Sequence, residues 1–463
     1  MPVATSQSDF DLVVIGAGSG GVAASRRAAA HGARVAIVEG RRVGGTCVLR
    51  GCVPKKLLMY AAEFGDTFAT ARGYGWSLAE PAFEMQRWAT AKAAETSRLE
   101  GIYRRLLEGS GVTLFEGHGR LAGPGRVVVK GAHGAGSEAT LRARHVLLAT
   151  GSSPVTDRIP GLEHCATSDD LLDLTELPPA AAIVGAGFIA VEFASMLARL
   201  GVRVSLYFRG RLPLRGFDEM LRTAAMAELQ AAGVEVHAET VPTRVQAVSG
   251  GLLLLFGDER MREFPWVLNA TGRRPNSAGL GLETVGIEPD AAGAVPVSHG
   301  GETAAAGVFA IGDLTNRANL TPVAIAEGRA LADTLYGGVP RTVDLSRVPT
   351  AVFMLPPIAS CGPTEAERAA AGLPTKVFET EFRPMKTAFT GGAQRTRMKL
   401  LVDAATDRVE AVHMVGPDAP EIVQSLAVAL TAGATKAHFD RTLAMHPTAA
   451  EEFVLMREPV RVV

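Results

Sequence analysis

At 463 residues, with 47% hydrophobic and 21% charged side chains, the chain has the composition of a folded protein of about three domains, not of a disordered one. The 47 Lys and Arg against 48 Asp and Glu leave a formal net charge of -1, so no global field draws it to nucleic acid or an anionic membrane. No apolar run reaches the roughly 18 residues of a membrane span, and the opening MPVATSQSDFD lacks the basic region and apolar core of an export signal; a cytoplasmic protein with no nucleic-acid or membrane partner is expected.

The first elements are a strand at 11–16 (DLVVIG), a helix in the Ala-rich stretch 20–32 and a strand at 33–39 (ARVAIVE). Between the first two stands Gly16-Ala17-Gly18-Ser19-Gly20-Gly21, a G-x-G-x-x-G placed directly after a strand and at the opening of a helix. Such glycines permit a tight turn, close approach of the backbone to a pyrophosphate and close helix packing, and the helix N-terminus attracts the negative charge. Glu39 closes the next strand, where a carboxylate accepts hydrogen bonds from ribose hydroxyls and repels a phosphate. The first cradle is therefore expected to take an unphosphorylated adenosine ribose.

Next comes GGTCVLRGCVPKK (44–56), with Cys47 and Cys52 five positions apart. A zinc site needs four ligands, and no second Cys pair or His cluster lies nearby, so no metal is expected. Flanking glycines, a proline and two lysines favour a redox-active pair, the spacing being read as a helical turn that brings the sulfurs within bonding reach. Cys165 and Cys361 fit no redox motif and are read as structural thiols. The stretch 123–137, rich in Gly and Ala, is expected as a hairpin or exposed loop, followed by a strand-like run closing on Ala-Thr-Gly (145–151).

The strand, helix, strand order returns at 181–208 and is again followed by a run closing on Ala-Thr-Gly (266–272). The second cradle, Gly185-Ala186-Gly187-Phe188-Ile189-Ala190, carries alanine as its third small residue. Its second strand runs into Phe208 and Arg209, with Arg211 and Arg215 beyond, where an NAD site would place an acid. Guanidiniums there suit a 2'-phosphate, so NADPH is the expected dinucleotide. Gly- and Pro-rich punctuation at 151–161 and 272–281 marks chain crossings, and from about residue 343 alternating runs such as KVFETEF, RMKLLVD and RVEAVHMVG indicate a third, α+β domain. The fold class is α/β with two Rossmann-like dinucleotide-binding domains, expected at 1–152 with 283–342 and at 153–282, plus a C-terminal α+β domain at 343–463.

With GGTCVLRGCVPKK and the upstream GAGSGG, the later motifs GAGFIAVEFA (185–194), AIGDLTNRANLTPVAIAEGRALA (310–332) and HPTAAEE (446–452) resemble the flavin-dependent pyridine nucleotide-disulfide oxidoreductases, and within them the glutathione-reducing branch, over nearly the whole chain. The resemblance implies FAD in the first cradle, held by Gly16, Gly18, Ser19, Gly20, Gly21, Glu39, Thr46, Lys55, Gly119, Thr150, Asp313 and Thr321. It implies NADPH in the second, held by Gly185, Gly187, Phe188, Ile189, Ala190, Glu192, Arg209, Arg215 and Gly272. By the same resemblance Cys52 is the cysteine that contacts the flavin and Cys47 the one that exchanges with substrate. Lys55, near the flavin N5, is paired with Glu192, and His446 with Glu451 forms the acid-base couple that protonates the leaving thiolate. Phe188 stands where the family commonly has a tyrosine lid, keeping the ring and losing the hydroxyl.

Glutathione disulfide carries carboxylates, and Ser19, Arg26, Tyr103 and Arg329 fall where that branch places its substrate contacts. Trypanothione enzymes need an acid and an apolar ring where Ala23 and Arg26 stand, and a dihydrolipoamide dehydrogenase would usually carry Pro-Ser-Lys after the second cysteine. Thioredoxin and mercuric reductases need further cysteines at the C-terminus, where this sequence reads MREPVRVV. The resemblance further implies a homodimer through the C-terminal domain, with active sites shared between subunits. The alternatives are a reductase of another small disulfide and a flavin redox sensor without turnover.

Overall fold

The computed structural model describes residues 9–131 and 136–463. The first eight residues, part of the segment searched for an export signal, and residues 132–135, within the expected hairpin or loop at 123–137, lie outside the described residues. The described residues form two compact units, one falling within 1–55, 87–155 and 273–345, the other within 56–86, 156–272 and 346–463.

In the first unit the strands Phe10–Ile15 and Val35–Glu39 are almost wholly apolar, as strands of a parallel sheet covered on both faces must be. They pair in parallel with each other and, in the order 113–116, 35–39, 10–15, 138–148, form the dinucleotide-binding half of the sheet. Glu138–Leu148 belongs to two layers of pairing. Its first half pairs antiparallel with Arg126–Lys130, the hairpin around the stretch 123–137, and its second half runs parallel to Phe10–Ile15 and to Val308–Ala310. Alternation along the strands sends Val13, Ile15, Val38 and Leu148 into one core and Leu12, Val14, Ile37 and Leu147 into the other. The helices Ser19–Ala30 and Thr321–Tyr336 cover the second face through Val22, Ala24, Ala28, Leu331 and Ala332.

This order brings three strand ends together. Ala149 N donates to Ile15 O and Ile311 N to Leu148 O, so the turns at Gly16, Ala149-Thr150 and Gly312-Asp313 share one edge, the crevice outside the carboxyl ends of parallel strands where ligands bind in such sheets.

The second unit holds a four-stranded parallel sheet, in the order 235–237, 203–207, 180–184, 267–269, with the helix Phe188–Arg199 following its central strand. Beside it is an antiparallel sheet of 244–248, 251–255 and 261–264. The runs KVFETEF, RMKLLVD and RVEAVHMVG become strands of a six-stranded antiparallel sheet, in which Phe378 faces Leu400 and Leu400 faces Val412. Leu400, Val412 and Met414 are fully buried under the helix Ala419–Thr431 with Phe439 and Phe453, each such side chain contributing about 1.5–3 kcal/mol relative to exposure. The architecture is thus two Rossmann-like folds and a C-terminal α+β portion. No described helix is long and apolar enough to cross a membrane.

Candidate active site

Gly16 is held at φ +108°, and a Cβ there would lie 2.4 Å from the carbonyl oxygen of Ala149; only glycine lets the turn close against the neighbouring strand. The helix Ser19–Ala30 then opens with no side-chain cap and no acid in its first turn, leaving its N–H groups and positive end to a ligand. Glu39 is fixed by two backbone donors, Ala17 N to Oε2 and Arg41 N to Oε1, both at 2.8 Å, and each oxygen keeps a lone pair for a hydroxyl. Gly119 packs on this edge, where a Cβ would approach Val38 and Ile15 at 3.1–3.2 Å. Thr150 and Asn276 exchange hydrogen bonds, each to the other's carbonyl, at 2.9 Å.

Asp313 sits in the short turn Gly312–Thr315 and accepts a hydrogen bond from Ser152 Oγ at 2.7 Å. That turn is held from behind by Glu327, whose Oε2 accepts from Gly312 N at 2.8 Å while Oε1 accepts from Arg317 at 2.7 Å. Sequence reasoning singled out neither Ser152 nor Glu327. Glu327 falls within the motif at 310–332, where an acid in an apolar helical stretch was the available signal. Ser19 Oγ is shielded from solvent and lies within reach of the Cys47 thiol and the Tyr103 hydroxyl, each of whose anions it favours. An uncapped helix N-terminus, a glycine cradle and two placed carboxylates fit a flavin adenine dinucleotide.

The thiols stand beside this cradle, and here one expectation is corrected. Cys47 and Cys52 do not share a helical turn: Cys47 lies in the short helix Gly45–Leu49, Cys52 begins the helix Cys52–Gly73, and Arg50-Gly51 separate them. In a continuous α-helix, positions five apart point roughly 140° away from each other, so the break is what lets the sulfurs meet. Thr46, in the first of these helices, accepts Arg50 N through its carbonyl. The structure holds both cysteines as free thiols, Cys47 half-buried and Cys52 exposed.

The two thiols are unequal. A hydrogen bond from Cys47 draws Cys52 down to about 6, assisted by the Thr321 hydroxyl, whose Oγ1 lies 3.4 Å from Cys52 Sγ, and by the Lys55 ammonium, and opposed by the protein atoms that crowd water from the sulfur although the residue as a whole keeps an exposed surface. Cys47 is pushed upward by that same hydrogen bond and by burial. Cys52 is the thiolate of the pair and Cys47 keeps the proton. Burial raises the Tyr103 hydroxyl, and the charge of the neighbouring thiols raises it further, which places Tyr103 at the same cluster. Arg26 is exposed and donates to Ser110 Oγ at 3.2 Å; Arg329 is exposed on the helix that begins at Thr321.

In the second unit Gly185 repeats the turn of Gly16, with φ +134° and the site of a Cβ 2.2 Å from Ala270 O. Gly187 precedes an uncapped helix, Ile189 is half-buried and Ala190 fully buried. Phe188 is 42% exposed at the cradle mouth. Leu214 N donates to Ala186 O at 2.8 Å, folding the loop after the strand Arg203–Tyr207 back onto the glycine turn and setting Arg215 beside it. Arg209, Arg211 and Arg215 are exposed, and Phe208 is buried. Glu192 is 1% exposed and accepts from Phe353 N at 2.8 Å.

His446 is exposed, and its Nδ1 lies 3.1 and 3.2 Å from the two carboxylate oxygens of Glu451. The carboxylate is itself shielded, so it holds the ring while leaving Nε2 outward. Cys165 and Cys361 are buried.

A family model described as pyridine nucleotide-disulphide oxidoreductase matches residues 10–328, and one described as the dimerisation domain of the same group matches 348–457. The chain belongs to the pyridine nucleotide-disulphide oxidoreductase family. Within that family it is 47% identical over 449 residues to a glutathione reductase of Burkholderia cepacia, covering 97% of this chain and 98% of the relative. It is 44% identical to the chloroplastic/mitochondrial glutathione reductase of Pisum sativum, over 98% of this chain and 83% of the relative. A glutathione reductase of Nostoc sp. is 42% identical over 97% of this chain and 99% of its own length.

Proposed function

We infer that the protein is an NADPH-dependent reductase of glutathione disulfide, carrying FAD and working as a homodimer in the cytoplasm. In this reading 1–152 with 283–342 bind FAD, 153–282 bind NADPH and 343–463 form the subunit interface. The observation that carries it is the paired thiols Cys47 and Cys52, set beside Thr321 at the carboxyl ends of a dinucleotide-binding sheet. Bound FAD supplies two-electron transfer between the nicotinamide and the Cys47–Cys52 disulfide.

The residues divide the remaining work. Gly16, Gly18, Ser19, Gly20, Gly21, Glu39, Thr46, Gly119, Thr150, Asp313 and Thr321 hold the flavin nucleotide. Gly185, Gly187, Phe188, Ile189, Ala190, Arg209, Arg215 and Gly272 hold NADPH. In the reduced pair Cys47 retains its proton, so its attack needs a base, and His446 of a second copy of the chain, oriented by Glu451, is that base. Cys47 sulfur bonds one sulfur of glutathione disulfide, and the other half leaves as a thiolate that takes the proton back from the imidazole. The Cys52 thiolate then attacks Cys47, reforming the protein disulfide and expelling the second half as a thiolate that takes its proton from solvent. Ser19, Arg26, Tyr103 and Arg329 receive the substrate.

Purified protein with an oxidised flavin spectrum should oxidise NADPH rapidly with glutathione disulfide and slowly with lipoamide or trypanothione disulfide. Faster turnover with either of those would reassign the substrate. Reduction of the pair by NADPH without reoxidation by any small disulfide would make the protein a sensor.

A further inference from the structure

After the strand Val267–Asn269 the chain turns through Ala270-Thr271-Gly272, and this turn is held from two sides. Buried Asn269 Oδ1 accepts from Thr271 N at 3.1 Å and from Thr271 Oγ1 at 2.8 Å. From the other side Arg158 Nη1 donates to the Thr271 carbonyl at 2.6 Å. The guanidinium lies over Gly272, such that a Cβ on that glycine would sit 3.2–3.4 Å from Nη1, Nη2 and Cζ. Ala270 of the same turn is the residue against which Gly185 closes. Arg158 is therefore fixed at the carboxyl ends of the adjacent parallel strands Ala180–Val184 and Val267–Asn269, where the uncapped helix Phe188–Arg199 begins.

What the cation does there follows from what it lacks. Arg158 is exposed, spends one of its five N–H donors on a carbonyl, and forms no ion pair with a carboxylate among the described residues. A planar, pre-oriented, unneutralised guanidinium at a strand-end crevice calls for an anionic oxygen pair. We propose that Arg158 binds the pyrophosphate of the pyridine dinucleotide in the second cradle, the part common to NADPH and NADH, whereas Arg209 and Arg215 answer to the 2'-phosphate. The proposal rests on the assignment of that cradle to a dinucleotide.

Calorimetric titration of the oxidised, flavin-loaded enzyme with NADP+, NAD+ and ADP-ribose tests it without turnover. Glutamine at 158 still has an amide to donate to Thr271 O, so Arg158→Gln keeps the turn and removes the charge; Arg158→Lys keeps the charge and loses the fork. We expect Arg158→Gln to weaken all three ligands about tenfold, the scale of one charge-assisted hydrogen bond, and Arg158→Lys to recover most of the loss. Unchanged affinities in the glutamine variant, or weakening confined to NADP+, would overturn the assignment. Equal losses in both variants with a lowered melting temperature would also overturn it, by making Arg158 a pin for the turn. A wild-type enzyme that binds none of the three would remove the dinucleotide reading and this inference together.

Discussion

Cys52 Sγ lies 3.4 Å from Thr321 Oγ1, across 269 positions of sequence. The helix that starts at Thr321 covers the same face of the sheet as the helix Ser19–Ala30, so its first hydroxyl comes to the sulfur at the start of the helix Cys52–Gly73. A hydroxyl donor, the Cys47 thiol and the Lys55 ammonium all favour the same anion. Cys52 is consequently charged at neutral pH while its neighbour is not.

The first prediction is spectroscopic. Cys47→Ser should leave Cys52 as a thiolate beside oxidised flavin and show a long-wavelength charge-transfer band, and Cys52→Ser should show none. Because the Cys52 value is depressed, to about 6, the anion persists above that pH and is protonated below it, so the band should fade on acidification. Serine at 47 keeps a hydrogen-bond donor and alanine does not. The titration midpoint should therefore be higher in Cys47→Ala than in Cys47→Ser, and Thr321→Val should raise it as well. A band in Cys52→Ser alone would reverse the two roles.

Gly16→Ala should cost flavin. The added methyl would meet Ala149 O at 2.4 Å in a left-handed backbone, a strain of about 1–3 kcal/mol from the dihedral alone with a backbone clash added. The absorbance ratio of flavin to protein after gel filtration, together with the melting temperature, would measure it; full flavin content at wild-type stability would count against the cradle.

Glu327→Ala tests the support behind Asp313. Glu327 is 7% exposed and satisfies both Gly312 N and Arg317; its removal strands a backbone N–H and a guanidinium, a loss of about 3 kcal/mol, toward the low end for a buried pair because Arg317 is partly exposed. Flavin affinity and thermal stability should fall together. Pairing the change with Arg317→Met should restore part of the stability, since the stranded charge is then gone.

Arg209→Ala with Arg215→Ala should raise the KM for NADPH and leave that for NADH nearly unchanged. A charge-assisted hydrogen bond to phosphate is worth about 1.5–3 kcal/mol, so a tenfold or larger effect on NADPH is expected. Equal effects on the two nucleotides would remove the 2'-phosphate assignment.

Mixing inactive Cys47→Ser subunits with inactive His446→Ala subunits examines the shared site. A hybrid dimer has one intact site and one doubly damaged site if the imidazole acts on the partner's thiols, and should recover near half of wild-type activity. No recovery despite demonstrated subunit exchange would return His446 to its own chain.

Much of this protein is legible in local pattern. The glycines at 16–21 and 185–187 announce themselves because a strand, a tight turn and a helix are consecutive in the chain, and each closes against the end of an Ala-Thr-Gly run that returns beside it. Strands at 375–382, 396–403 and 409–415 follow from period-two alternation. Cys47 and Cys52 stand out by spacing and flanking glycines, yet spacing alone misplaced them on one helical turn, since the break at Arg50-Gly51 depends on packing that residue types do not specify. The approach of Thr321 to Cys52, the grip of Glu327 on Gly312 and the seat of Arg158 over Gly272 were settled only by tertiary structure. Each joins segments through side-chain geometry set by how strands and helices are ordered in space. Composition and periodicity carry the elements; which polar atom ends beside which sulfur or glycine depends on the completed fold.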